Sequence, residues 1–210
     1  TERKRIKAGS SFLTYSVHTI IFAAFNWADT KMQDMIRNDK IILRALEPED
    51  ADLLYSWENQ MELWSVSNTL TPFSRHQILT YIRQISLDIY QTKQLRLMID
   101  VINGEKQDSI GMIDMFDFDP YHNRGGIGVM IYKPERGKGH ARDAVELFIN
   151  YAFNHLGLHQ VYCDISEDNE PSIKLFESLG FSFVGRKKEW LKTPSGYKDE
   201  LLYQKIALKK

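Results

Sequence analysis

The chain has 210 residues, of which 43% are hydrophobic and 26% charged, and its 27 basic residues nearly balance its 28 acidic ones. This composition is typical of a globular domain with a substantial core, and it excludes an intrinsically disordered chain. Residues 39–210 carry 21 basic and 25 acidic side chains, so the basic face that nucleic-acid binding requires is not expected. The single cysteine, Cys163, excludes an internal disulfide framework and a cysteine-rich metal site, and it favours a cytoplasmic setting.

The first 38 residues differ in character from the rest. A basic start precedes a segment over residues 12–25 that mixes apolar and polar side chains. A membrane span needs about 20 predominantly apolar residues, so this segment is too short and too polar to cross a bilayer. We therefore expect residues 1–38 to be an N-terminal arm of unknown role, or sequence upstream of the true start. The folded domain is expected over residues 39–210, with no membrane partner.

The first half of the domain predicts strands and helices in alternation. A run over residues 40–46 is typical of a strand, and apolar residues at helical spacing follow it. Ser74 and Gln77 form a capping box, which predicts the start of a second helix. Strands are predicted over 94–101 and 109–118, on either side of a turn. The apolar residues expected on the inner faces of the two helices are Leu53, Leu54 and Trp57, then Ile78, Ile82, Ile85 and Ile89.

The second half continues the alternation. A strand over 126–132 leads into a glycine-rich turn and a helix whose apolar residues keep helical spacing. A strand over 160–165 and a short helix over 171–179 follow, and the chain closes with a hairpin around Pro194-Ser195-Gly196. This order predicts an α+β domain with a mixed, mostly antiparallel, twisted sheet flanked by helices.

The glycine-rich turn is the segment that indicates chemistry. It reads Arg136-Gly137-Lys138-Gly139-His140-Ala141, and its glycines allow a ligand to approach the backbone closely. Because the first N–H groups of a helix have no partner within it, a turn of this kind is suited to a phosphate or pyrophosphate. The turn lacks the four-residue gap and the Ser or Thr of a Walker motif, and it does not match the dinucleotide-binding glycine pattern.

The pattern Arg136-x-x-Gly139-x-Ala141 between a strand and an amphipathic helix resembles the acetyl-CoA pyrophosphate loop of the GNAT superfamily of acetyltransferases. The segment from Asn169 to Phe181, with its Asn-x-x-Ser opening and Leu-Gly-Phe ending, is similar to the branch of ribosomal-protein N-terminal acetyltransferases and spermidine acetyltransferases. The resemblance covers about residues 40–207. It implies a GNAT-like sheet whose fourth and fifth strands splay into a wedge for acetyl-CoA, the co-substrate, with no metal.

The resemblance also implies a set of cofactor-binding residues. Backbone groups near Met130, Ile131 and Tyr132 would pair with the pantetheine arm like an added strand, and one N–H group would polarise the acetyl carbonyl. Asn169 matches a position that contacts the cofactor, and it is also suited to cap the last helix. The glycine-rich turn would contribute Arg136, Gly137, Lys138, Gly139, His140 and Ala141.

One position departs from the family pattern. Many members carry a tyrosine seven residues after the matched asparagine, proposed to protonate the departing thiolate, and here that position is Phe176. A phenyl ring cannot donate a proton, so the candidate donors are Ser172, which would also help to cap the helix, and water. Phe176 keeps an alternative function open, a non-catalytic acyl-CoA-binding regulatory domain.

Carboxylates near the end of the third domain strand suggest where an amine binds. In a regular strand Asp117 and Asp119 point to one face and Asp114 to the other. An alkylamine of pKa about 10.4 must lose its proton before it attacks. We therefore predict Asp117, with Asp119 beside it, to be the general base or cation site, and the alternative is a solvated strand end.

These features together predict an acetyl-CoA-dependent N-acetyltransferase that transfers acetyl directly to an amine in a ternary complex. No acyl-enzyme is expected, because no nucleophile stands beside a suitable base, and Cys163 alternates with apolar residues as a packing residue would. The acceptor stays open among a polyamine or other small amine, an aminoglycoside-like amine and a protein N-terminus. A homo-oligomer is left open.

Overall fold

The computed structural model describes residues 36–62, 64, 69–85, 88–104 and 106–208. The chain divides into two units, Thr1–Asp34 and Met35–Lys210, and the described residues belong to the second. Almost all of the predicted arm therefore lies outside the described residues. Its last residues lie with the domain, since the N–H group of Leu43 donates to the carbonyl oxygen of Ile36 at 2.9 Å.

The elements follow one another in nearly the predicted order. Short 3₁₀ turns at Pro48–Asp50 and Lys133–Glu135 precede the first and fourth α-helices. No helix among the described residues combines the length and the apolar character of a membrane span. In chain order the elements are β1 (Ile41–Ala45), α1 (Ala51–Glu58), α2 (Arg75–Ile85), α3 (Ile89–Thr92), β2 (Leu95–Asn103), β3 (Lys106–Asp119), β4 (Arg124–Ile131), α4 (His140–Asn154), β5 (Gln160–Ser166), α5 (Glu170–Ser178), β6 (Ser182–Thr193) and β7 (Gly196–Ile206).

The strands form one seven-stranded sheet in the order β1-β2-β3-β4-β5-β7-β6. Every neighbouring pair is antiparallel except β4 and β5, which are parallel. These two strands pair only between Arg124–Gly126 and Gln160–Tyr162, and beyond that point they are no longer hydrogen-bonded to each other. The predicted α+β class and the wedge between the fourth and fifth strands are confirmed.

The capping box at the start of α2 is confirmed, but the predicted length of this helix is wrong. The N–H group of Ser74 donates to Gln77 Oε1 at 2.7 Å, and the N–H group of Gln77 donates to Ser74 Oγ at 3.2 Å. We expected Ile89 in the same helix. Instead α2 ends at Ile85, and Asp88 caps the separate helix α3 by accepting a backbone N–H with its carboxylate.

Two apolar cores lie on opposite faces of the sheet. Neighbouring residues of a strand point to opposite faces, and Met112 and Ile113 of β3 accordingly belong to different cores. The larger core packs α4 and α5 against the sheet, and the smaller one packs α1 and α2 around the buried Trp57. Gly126 of β4 is needed for packing, because a Cβ there would lie 2.2 Å from the ring of Phe116. The helices thereby hold the diverging ends of β4 and β5 in place.

Candidate active site

A cavity of about 690 Å³ opens where β4 and β5 separate. Its walls come from β4 and β5, from the turn before α4, from α5 and the segment that joins it to β5, and from side chains of α1, β2, β3, β6 and β7. It does not include Tyr132, Lys138, Asp117 or Asp119. The predicted site residues that do line it are Met130, Ile131, Arg136, Gly137, Gly139, His140, Ala141, Asn169 and Ser172.

The turn over residues 136–141, the glycine loop, presents an uncapped helix end to this cavity. Gly137 and Gly139 have φ angles of 78° and 87°, a left-handed conformation that strains residues with a side chain. A Cβ on either glycine would meet no atom within 4 Å, so the space above the loop is open. No side chain caps α4, and the N–H groups of residues 137–141 have no acceptor in the described part of the chain. The loop therefore fits an anion such as a pyrophosphate.

Cationic side chains surround the glycine loop. Arg136 Nε donates to the carbonyl oxygen of Ile131 at 2.8 Å, which fastens the loop to the end of β4. Arg142, which the sequence did not single out, lines the cavity and donates to Ser178 Oγ at 2.6 Å. His140 lines the cavity too, and its Nδ1 is buried without a hydrogen-bond partner among the described residues. Two guanidinium groups thus add positive charge to the helix end.

The edge of β4 that faces β5 carries free backbone groups at alternate residues. The N–H group of Tyr132 donates to the carbonyl oxygen of Ile110 in β3 at 2.8 Å, so the backbone of Tyr132 is not available to a ligand. Strand alternation then turns the backbone groups of Ile131 and Val129 toward the wedge and those of Met130 toward β3. No strand of the described chain pairs with Ile131 or Val129 on the β5 side. This geometry favours Ile131 and Val129 over Met130 and Tyr132 for pairing with a ligand, and the cofactor-binding role of the predicted residues stays a prediction.

Glu135 lines the cavity beside the glycine loop and pairs with Lys138 at 2.8 Å, and five further carboxylates line the part of the cavity away from the loop. Arg96 of β2 donates to both oxygens of Asp114, at 2.6 and 2.9 Å, and to Glu58 Oε1 at 2.5 Å. Burial opposes the charge of Arg96, but the neighbouring carboxylates outweigh it and raise the pKa of the guanidinium. We call the five residues the cavity carboxylates: Glu58, Glu62, Asp114, Asp164 and Glu200.

The cavity carboxylates outnumber the cations that pair with them. Lys187 of β6 lies 2.7 Å from Asp164 and 2.9 Å from Glu200, and Lys133 lies 3.3 Å from Glu62. Together with Arg96, three cations pair with these five carboxylates, which leaves an excess of two negative charges in this part of the cavity, away from Arg136 and Arg142. Only Asp114 of this group had a signal in the sequence, because regular strand alternation places it on the opposite face of β3 from Asp117. The other four carboxylates come from distant elements and have no local signature.

The two aspartates that we predicted as the base lie elsewhere. The register between β3 and β4 shifts beyond Phe116, and Asp117 has a φ of 49°, so the regular alternation assumed for the pair is broken. Asp119 accepts the N–H group of His122 at 3.0 Å, and this hydrogen bond lowers the pKa of its carboxyl. Asp117 accepts the Tyr162 hydroxyl at 3.5 Å. The structure does not bring this pair to the cavity, and its catalytic role stays a prediction.

The sequence model of the acetyltransferase (GNAT) domain matches residues 40–182. This chain belongs to the GNAT acetyltransferase family. The uncharacterized N-acetyltransferase p20 of Bacillus licheniformis is 28% identical over 163 residues, which cover 76% of this chain and 88% of that protein. The spermidine N(1)-acetyltransferase of Vibrio cholerae is 24% identical over 162 residues, which cover 77% of this chain and 90% of the relative.

The shared GNAT fold extends across the described domain. The crystal structure of spermidine N-acetyltransferase from Vibrio cholerae, in complex with CoA and spermine, matches with a TM-score of 0.73. The match has 21% sequence identity and covers 80% of this chain and 96% of that one. The family and its relatives identify this chain as an N-acetyltransferase.

The GNAT position that usually carries tyrosine is a buried phenylalanine. Phe176 is 3% exposed and packs edge-on against Phe181, with ring centroids 5.0 Å apart. Asn169 Oδ1 accepts the N–H group of Ser172 at 3.3 Å, which confirms Asn169 as the helix cap. The Ser172 hydroxyl lines the cavity and has no hydrogen-bond partner among the residues described. Burial raises the pKa of the Cys163 thiol, and this keeps the thiol neutral, as a packing residue would be.

Proposed function

We propose that this GNAT enzyme transfers the acetyl group of acetyl-CoA directly to a small polycationic amine of the polyamine type. The observation that carries the proposal is the excess of negative charge among the cavity carboxylates, beside the wedge that GNAT enzymes use for the thioester. A site with this charge attracts ammonium groups and holds them by charge-assisted hydrogen bonds.

The cofactor side of the cavity supports acetyl-CoA as the donor. Free N–H groups of the glycine loop, with Arg136 and Arg142 beside them, would hold the pyrophosphate. The N–H group of Ile131 and the backbone groups of Val129 would pair with the pantetheine arm. Bound acetyl-CoA supplies the thioester carbonyl, and a backbone N–H of this edge would polarise it.

The acceptor amine must lose a proton before it attacks, and one of the cavity carboxylates can accept that proton. Neutralising an alkylamine of pKa about 10.4 at pH 7 costs roughly 4.6 kcal/mol, so a carboxylate that accepts the proton is useful. Asp114 uses both oxygens on Arg96, whereas Glu58 uses Oε1 alone. Glu58 Oε2 is therefore the better placed acceptor, and we propose Glu58 as the base or anchor for the attacking amine. Glu58 thus takes the place first given to Asp117 and Asp119.

Protonation of the departing thiolate needs little from the protein. A thiol of pKa about 8.5 is a good leaving group near neutral pH. The unpaired hydroxyl of Ser172 in the cavity wall supports its role as proton donor, with water as the other source. The relatives include spermidine N(1)-acetyltransferases of Vibrio cholerae and of two Escherichia coli strains, and these support the polyamine assignment.

A thiol-release assay with acetyl-CoA tests the proposal. Spermidine, a monoamine and a peptide with a free N-terminus serve as acceptors at low and high salt. We expect kcat/KM for spermidine to exceed that for the peptide by about tenfold or more, and to fall with salt as screening weakens the attraction. Equal or faster use of the peptide would overturn the polyamine assignment. Tight acetyl-CoA binding without turnover of any amine would favour the non-catalytic binding domain instead.

A further inference from the structure

Lys187 of β6 occupies a position between two of the cavity carboxylates. Its ammonium nitrogen lies 2.7 Å from Asp164 Oδ1 and 2.9 Å from Glu200 Oε2. The same ammonium lies 5.4 Å from the ring centroid of Trp190, whose face stabilises a cation. Asp164 and Glu200 line the cavity, but Lys187 does not. Lys187 therefore neutralises part of the wall without occupying the cavity itself.

The surroundings of Lys187 make its charge effective. The side chain of Glu200 is 11% exposed and that of Lys187 is 35% exposed, so water screens the contact incompletely. Burial opposes the charge of Lys187, but the hydrogen bonds that it donates to Asp164 and Glu200 outweigh burial and raise the pKa of the ammonium. The lysine is therefore a permanent cation at neutral pH, and the three groups together carry one negative charge instead of two.

The neighbouring residue offers a matched comparison. Arg186 also bridges two carboxylates, at 2.8 Å from Glu167 and 2.9 Å from Asp199. None of these three residues lines the cavity. Two adjacent cations of one strand thus form the same kind of bridge, and only one of the bridges borders the site.

We propose that Lys187 is an internal counter-cation that limits how many positive charges of the acceptor this end of the cavity holds. Its ammonium neutralises one of the two negative charges with which Asp164 and Glu200, from the cavity wall, would otherwise hold a further ammonium of a longer polyamine. The inference rests on the proposed function and deepens it, because it assigns a residue to the choice between polyamines. Lys187 acts through the two carboxylates, so its effect depends on the charge of the substrate.

The test compares Lys187→Met with Arg186→Met in the full chain. The measured quantity is kcat/KM for spermine divided by kcat/KM for spermidine, together with the acetyl-CoA affinity. We expect Lys187→Met to raise this ratio by about tenfold, because two uncompensated carboxylates favour the additional ammonium. Arg186→Met should leave the ratio as in the wild type, and Lys187→Arg should keep it low.

A second variant covers the case in which Lys187→Met does not fold, since removal of one partner of a partly buried ion pair is destabilising. Asp164→Asn keeps the shape of the wall and removes one negative charge, so the spermine-to-spermidine ratio should fall below that of the wild type. An unchanged ratio in a folded Lys187→Met enzyme, or in Asp164→Asn, would overturn the inference and leave the proposed function intact. A wild-type enzyme that acetylates no polyamine would overturn both.

Discussion

Most of the proposed cofactor side of the cavity comes from residues 127–142, where backbone groups of β4 and of the glycine loop stand beside two arginines. The acceptor side presents side chains from α1, β3, β5 and β7, which are spread between residues 58 and 200. The positions of backbone groups depend on local conformation. Side-chain substitutions on the cofactor side should therefore have little effect on cofactor binding unless they add atoms to the glycine loop. The arrangement of side chains on the acceptor side depends on strand register and on packing across the whole sheet. This contrast explains why the GNAT family can be identified from short stretches of sequence, whereas the acceptor cannot.

The largest expected effect comes from Gly139→Glu in the glycine loop. The substitution places bulk and negative charge in the open space where the pyrophosphate would lie, against the helix-end field. We expect acetyl-CoA affinity, measured by calorimetry, to fall by about 100-fold or more. Gly157→Glu is the matched control, since Gly157 has a φ of 68°, similar open space and no part in the cavity. Loss of affinity in both variants would show that backbone strain, and not the loop, is responsible.

The next effect should come from Glu58→Gln on the acceptor side. Glutamine keeps the shape of the side chain but cannot take up the proton of the amine, so kcat/KM for spermidine should fall by about 10- to 100-fold. Acetyl-CoA affinity should not change. Asp52→Asn on the same helix is the control, because Asp52 is exposed, pairs with Arg75 and lies outside the cavity. If Glu58→Gln has the wild-type kcat/KM for spermidine, Glu58 is neither the base nor the anchor for the amine.

The smallest effect is expected for Asp117→Asn combined with Asp119→Asn. Neither residue lines the cavity, and Asp119 is already engaged by backbone N–H groups and by Arg124 at 3.3 Å. We expect kcat/KM to stay within about threefold of the wild type, as is usual for changes away from a site. A fall of about 100-fold would restore these aspartates as the base and would place the acceptor outside the cavity that we describe.

The elements that the sequence predicted well are those with local causes. The capping box at Ser74, the cap at Asn169 and the glycine loop each depend on a few neighbouring residues, and the structure contains all three. The regular strand alternation assumed for Asp117 and Asp119 is broken by a bulge in β3, and nothing in the sequence marks that bulge. Glu58 and Glu200 could not be found, because only the folded sheet and its helices bring them to one cavity.

Because β4 and β5 pair over a short length only, the sheet has a gap in its hydrogen bonding between these two strands. Strands β1–β4 form one hydrogen-bonded block and β5–β7 another, and three residue pairs are all that join them within the sheet. A pantetheine chain that pairs with Ile131 and Val129 would bridge part of this gap in hydrogen bonding. Bound acetyl-CoA would therefore stabilise the sheet as well as serve as the substrate. A ligand present at 100 times its dissociation constant adds about 2.7 kcal/mol to the free energy of unfolding. Resistance of the purified enzyme to proteolysis should therefore rise with the concentration of acetyl-CoA.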